Sequence, residues 1–200
     1  MASATLNGTN PTGLKGLILT GGQSRRMGQD KSQLVYHQKP QRDHLVDLLR
    51  PYCQAVFWSV NADQAAALTS GTQPFIVDAL AIRSPLNGIL SAFRHDSSVA
   101  WLVVACDMPL LTSRSLEALL TNRDPTRLAT VFYDSTGRAP EPLLGIYEPA
   151  FAPVADRAVA DGQLSPRQIL QSQPVQLLTV PDVRELTNVN DPVARHALGR

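Results

Sequence analysis

The feature that most constrains this chain is a short apolar run, residues 16–20 (GLILT), that ends in two glycines, Gly21 and Gly22. Such a run is the pattern of a buried strand feeding a tight turn. Two adjacent glycines adopt φ > 0 readily and bare their backbone N–H groups, so the turn is able to close around an anion with no Cβ in the way. Cations follow at once. Between Lys15 and Lys31 stand four basic residues (Lys15, Arg25, Arg26, Lys31) and one acid, Asp30, a local charge of +3 in a chain whose formal total is +1. A glycine-rich turn beside a merely solvated basic face satisfies the same pattern, and both readings stay open at this level.

Apolar runs and amphipathic stretches alternate along the rest of the chain. Strands are expected at 16–20, 55–60, 74–77, 101–105, 128–133, 143–147 and 176–180. Helices are expected at 41–50, 62–68, 86–93, 115–120, 149–160, 166–171 and 192–198. Alternation of this kind implies right-handed crossovers, a mostly parallel sheet and helices on both faces, an α/β three-layer Rossmann-like sandwich. Ligands of such sheets bind outside the carboxyl ends of the strands. The loops after Thr20, Val77, Ala105 and Tyr147 are therefore the expected crevice. Two hundred residues suit a single domain, taken as 14–200, with 1–13 as a flexible leader.

Composition narrows the partners. A net charge of +1 provides no global field for a nucleic acid or an anionic membrane, so neither is expected as a partner. Residues 1–13 have no basic or apolar signal-peptide regions, and no run is long enough to span a bilayer. Cys53 and Cys106, each within or beside an apolar run, fit reduced core thiols and a cytoplasmic setting. His37, His44, His95 and His196 show no zinc-ligand spacing, and there is no G-x-S-x-G turn of a serine hydrolase. The glycine spacing matches neither a Walker loop nor the dinucleotide fingerprint G-x-G-x-x-G. Trp58 and Trp101 read as core.

Two acids stand where buried strands end: Asp78 after FIV and Asp107 after WLVVAC. An aspartate there reaches the ligand crevice and suits a hard cation such as Mg²⁺. Asp78 equally fits a turn cap. Asn188 and Asn190, two apart, project to one side of an extended segment and so are able to bind one ligand together. Arg167 in the first turn of a helix fits either a phosphate contact or plain solvation.

The stretch GGQSRRMGQDK resembles the signature loop of the molybdenum cofactor guanylyltransferases, the MobA-like nucleotidyltransferases. Its elements are Gly21, Gly22, Arg26, Met27, Gly28, Asp30 and Lys31, with Thr20 where alanine is common. The paired glycines are similar to the guanylyl enzymes rather than to their cytidylyl relatives. CDMP, containing Asp107, resembles the family's Cys-Asp-x-Pro, and SPLNG resembles its Gly-Pro-Leu-x-Gly, with Ser84 in place of the first glycine and Gly88 retained. EPLLGIY, beginning at Glu141, resembles a strand lining the second-substrate pocket. The NVN of Asn188 and Asn190 resembles the segment on the molybdopterin side.

The resemblance implies a nucleotide-diphospho-sugar transferase-like fold and transfer of GMP from GTP to the terminal phosphate of molybdopterin, releasing pyrophosphate. In that scheme Leu19, Thr20, Gly21, Gly22, Lys31, Asp78 and Asp107 bind the nucleotide, Arg26, Lys31 and Asp107 are catalytic, and Asp107 holds Mg²⁺. Molybdoenzymes or other cofactor-biosynthesis proteins would be its macromolecular partners. The alternatives are a cytidylyltransferase of the same superfamily and a nucleotide-binding accessory protein without catalysis.

Overall fold

The computed structural model describes residues 13–21, 34–68 and 71–189. Residues 22–33, which contain Gly22, Arg26 and Lys31, lie outside the described residues, as do 1–12, Asn190 and the helix expected at 192–198.

The chain alternates as its hydrophobic pattern requires. Strand β1 (Leu14–Leu19) leads to helix α1 (Gln41–Leu49), β2 (Val56–Val60), α2 (Ala62–Ala67), β3 (Phe75–Val77), α3 (Leu86–His95), β4 (Ala100–Ala105) and α4 (Ser113–Thr121). The second half comprises β5 (Ala129–Tyr133), β6 (Pro140–Tyr147), α5 (Phe151–Ala160), α6 (Pro166–Gln171) and β7 (Gln176–Leu178). Short 3-10 turns follow α1 and β7, at Arg50–Tyr52 and Val183–Leu186.

One sheet joins the seven strands in the order β3-β2-β1-β4-β6-β5-β7. Every pairing is parallel except those of β6, which runs antiparallel to both β4 and β5. Helices cover both faces. On one, Leu45, Leu49, Leu116 and Leu119 of α1 and α4 pack against Ile18, Leu102, Val104 and Phe132; on the other, Ile89, Phe93, Phe151 and Ile169 of α3, α5 and α6 pack against Leu17, Trp101, Val131 and Tyr147. The central strands β1 and β4 are apolar on both sides because both sides are covered. Trp58 and Trp101 are core residues, as expected.

The reversal of β6 corrects one expectation. Tyr147 ends this strand at the far side of the sheet, so the loop after it does not belong to the crevice; the start of β6, at Pro140 and Glu141, does. The strand also begins three residues before the expected 143. Pro142 argues against a strand in sequence, yet a register irregularity between Val131 and Tyr133 in the partner strand admits it. Its carbonyl accepts a hydrogen bond from the Tyr147 hydroxyl at 2.6 Å.

Candidate active site

A cleft of about 720 Å³ opens at the carboxyl ends of β1, β2, β3 and β4. It is lined by Leu19, Thr20 and Gly21 after β1, Ser59 and Asn61 at β2, Asp78 after β3, and Cys106 and Asp107 after β4. Leu143, near the start of β6, closes one end.

A chain of hydrogen bonds ties the first three strand ends together. The Thr20 hydroxyl donates to the Ser59 carbonyl at 2.6 Å, and the Ser59 hydroxyl donates to Asp78 Oδ1 at 2.7 Å. Gly21 lies so close to this acid that a Cβ there would meet Asp78 Oδ2 at 3.0 Å. Burial pushes the Asp78 carboxyl above its ordinary value, opposed by the hydrogen bond from Ser59. Asn61 caps α2 in a reciprocal box with Gln64, and the Gln64 side chain also donates to the Thr20 carbonyl at 3.2 Å. Asp78 is therefore held by a hydroxyl from a neighbouring strand, which the turn-cap reading of the sequence lacks.

Gly88 explains the glycine of SPLNG. A Cβ at this position would come within 2.3 Å of Ser59 Oγ and 2.7 Å of a Leu19 methyl, so only hydrogen lets α3 settle this close to β1 and β2. The preceding residue, Asn87, is buried and organises the loop from β3 to α3. It accepts from the Leu80 N–H at 3.0 Å and donates to the carbonyls of Leu80 at 2.7 Å and Ile82 at 3.2 Å. Ser84, in place of the expected glycine, bonds the Leu164 carbonyl at 2.5 Å.

Asp107 sits on a loop fastened from several distant parts of the chain. Its carbonyl accepts from the Val189 N–H at 2.8 Å, and the buried Gln41 of α1 donates to the next carbonyl, Met108, at 3.2 Å. His37 Nε2 lies 2.7 Å from the Pro109 carbonyl oxygen. Glu185, buried in the second 3-10 turn, accepts from both the backbone N–H of Thr112 at 2.9 Å and its hydroxyl at 2.8 Å. These bonds lay residues 187–189 beside Asp107, with Val189 buried against Leu34 and Tyr36 and Asn188 exposed.

Glu141 is buried at the start of β6. Burial raises its carboxyl above the ordinary value, the Leu143 N–H and Arg167 oppose that, and the charge of Asp107 adds to it. Arg167 donates to Asp134 at 2.6 Å and reaches Glu141 at 3.4 Å, so its guanidinium has carboxylate partners in place of the phosphate contact considered from sequence.

The structure thus brings Leu19, Thr20, Gly21, Asp78 and Asp107 to one cleft. Asn188 stands on the segment beside it. Ser59, Asn87 and Glu185 were missed, because a serine inside a strand, an asparagine in a helix and a glutamate in a short turn announce nothing until their partners are known. Among the described residues no group of three or more His, Cys, Asp and Glu side chains gathers into a metal cage. One or two carboxylates facing a cleft are the donor set that suits Mg²⁺, which keeps several waters and takes phosphate oxygens. No helix among the described residues is long and apolar enough to cross a membrane.

Comparison with known proteins places the chain in a family. The MobA-like NTP transferase domain matches residues 16–177. The chain belongs to this family. Among its relatives, a molybdenum cofactor biosynthesis bifunctional protein of Synechocystis is 34% identical over 181 residues, covering 90% of this chain and 52% of the relative. The chain spans about half the length of that protein. A probable molybdenum cofactor guanylyltransferase of Mycolicibacterium paratuberculosis is 31% identical over 193 residues, covering 94% of this chain and 95% of the relative. The fold is that of the crystal structure of molybdopterin-guanine dinucleotide biosynthesis protein A from Archaeoglobus fulgidus, with a TM-score of 0.77 and 24% identity over 92% of this chain and 95% of the other. These likenesses establish the nucleotide-diphospho-sugar transferase-like fold and membership of the MobA-like NTP transferase family.

Proposed function

We propose that this chain is a molybdenum cofactor guanylyltransferase, which joins GMP from GTP to the terminal phosphate of molybdopterin. The observation that carries the reading is the meeting of Thr20, Gly21, Asp78 and Asp107 in one cleft at the ends of β1, β3 and β4, in a chain of this family. In the reaction an oxygen of the acceptor phosphate forms a bond to the α-phosphorus of GTP. The bond from that phosphorus to the bridging oxygen breaks, and pyrophosphate leaves with the electron pair. The attacking group is already an anion, so catalysis consists mainly of alignment and charge neutralisation.

The backbone at Leu19, Thr20, Gly21 and Gly22 cradles the nucleotide, and Arg26 and Lys31 neutralise the leaving pyrophosphate. Asp78, kept in place by Ser59, faces the bound nucleoside. Asp107 would hold Mg²⁺, which when bound would supply Lewis-acid stabilisation of the phosphate charge. Asn188, on the segment beside the cleft, and Asn190, outside the described residues, would bind the acceptor. The buried thiol of Cys53, pushed up to about 12 by desolvation, and the second buried cysteine suit the reducing cytoplasm in which such an enzyme would work.

The test is pyrophosphate release by the full chain with molybdopterin, Mg²⁺ and either GTP or CTP. The expected result is release with GTP and formation of the guanine dinucleotide. Preference for CTP would reassign the enzyme as a cytidylyltransferase, and nucleotide binding without release would make it an accessory protein.

A further inference from the structure

Arg83 lines the cleft on the loop from β3 to α3. It is the sole basic residue among the described lining residues, against three acids, Asp63, Asp78 and Asp107. Such a wall repels an anionic ligand unless a cation offsets it. The backbone on both sides of Arg83 is pinned: the Ile82 carbonyl accepts from Asn87, and the Ser84 hydroxyl reaches Leu164 while accepting from the Leu86 N–H at 3.2 Å. Arg83 itself is exposed and has no hydrogen bond or ion pair among the described residues. A fixed loop therefore presents an uncommitted guanidinium to the cleft.

Resting on the guanylyltransferase reading, we infer that Arg83 is a nucleotide-binding residue, which grips the GTP from the loop between β3 and α3. The loop that carries it begins at Asp78 and is anchored by Asn87, whose neighbour Gly88 packs on Ser59 and Leu19. That places it on the nucleotide half of the cleft, away from the segment of Asn188. Leu80, Ile82 and Pro85 beside it form an apolar shelf of the kind a heterocycle covers. A guanidinium suits this place twice over, because its plane stacks on a base and its edge donates to ribose or phosphate oxygens.

The experiment is calorimetric binding of GTP to the wild-type chain, Arg83→Gln and Arg83→Lys, with KM for molybdopterin measured on the same proteins. Arg83→Gln is expected to weaken GTP binding about tenfold or more, as loss of a charge-assisted contact does. Arg83→Lys restores part of it, the charge without the plane, and KM for molybdopterin and the thermal melt stay unchanged. GTP affinity within twofold of wild type in Arg83→Gln, or a loss that falls on molybdopterin alone, overturns the assignment. A wild-type chain that binds CTP in place of GTP would defeat the guanylyl reading, and the same ratio measured with CTP would still decide Arg83. A chain that binds neither nucleotide defeats both.

Discussion

Around Asp78 the cleft is built mainly from consecutive strand ends: its hydrogen bonds link residues 7, 19 and 39 positions apart, as in Leu80 to Asn87, Ser59 to Asp78 and Thr20 to Ser59, with Ser84 to Leu164 as a long tie. Around Asp107 the spans are 67, 72 and 73, from Gln41 to Met108, His37 to Pro109 and Glu185 to Thr112. The half proposed for the nucleotide is assembled by consecutive strand ends of a regular α/β layer. The half proposed for the acceptor is closed by the last described segment of the chain, which returns over the sheet to pin a loop that no strand register holds. Changes in the first half should therefore act on the nucleotide site itself. Changes in the second should act at a distance, through docking of the 183–189 segment.

The sharpest test of this contrast is Asp107, where the two halves meet. Asp107→Asn is expected to lower turnover by about a hundredfold or more while leaving the circular dichroism spectrum and melting temperature near wild type. A variant that turned over at full rate would show that the carboxylate serves the loop and not the chemistry.

Gly88→Ala attacks the nucleotide half through packing. The new methyl has no room between Ser59 and Leu19, so a destabilisation of about 1–3 kcal/mol is expected in chemical denaturation, together with weaker GTP binding. Normal GTP affinity in a destabilised protein would separate the packing from the site.

On the other half, Glu185→Ala removes the buried carboxylate that accepts from the Thr112 N–H and hydroxyl, and because Thr112 is exposed, water takes its place. The expected cost is about 0.5–1.5 kcal/mol, with the kinetic effect falling on KM for molybdopterin and little of it on GTP. Glu185→Gln, which retains acceptor capacity, should recover part of both. An equal rise in both KM values would erase the proposed division.

The smallest effect concerns pH. Asp78 has its carboxyl raised in the folded protein, so the folded state binds that proton more tightly than the unfolded chain does. Its contribution to stability is complete below the ordinary carboxylate range and is lost as pH rises through the raised value. Ser59→Ala removes the hydrogen bond that opposes the shift, so the carboxyl titrates at still higher pH and the loss extends upward. A carbon-13 NMR titration of Asp78 in both proteins would read the direction, and a fall in place of a rise would mean that another group dominates its surroundings.

Much of the first half was legible because strand, glycine and acid stand side by side in the sequence. An apolar run fixes where a strand ends, and in the parallel strands the residues after it lie at the crevice; Thr20, Asp78 and Asp107 reach it in this way, whereas the loop after the reversed β6 does not. The direction of β6 was not legible. Two-residue periodicity is the same in parallel and antiparallel strands, and Pro142 hid the first three residues of this one. Arg167 and Glu185 failed for another reason: their partners, Asp134, Glu141 and Thr112, are far away in sequence, and no local pattern couples them. Gly22, Arg26, Lys31 and Asn190, read from the family's motifs, lie outside the described residues.

The reversed strand has an evolutionary consequence. Because β6 runs against its neighbours, the hairpin at 134–139 that joins it to β5 turns on the cleft side of the sheet, where Asp134 meets Arg167. Hairpin tips accept insertions and substitutions more readily than the strands they join. New acceptors could thus be accommodated by rewriting one turn, while the strand ends that form the nucleotide half stay as they are.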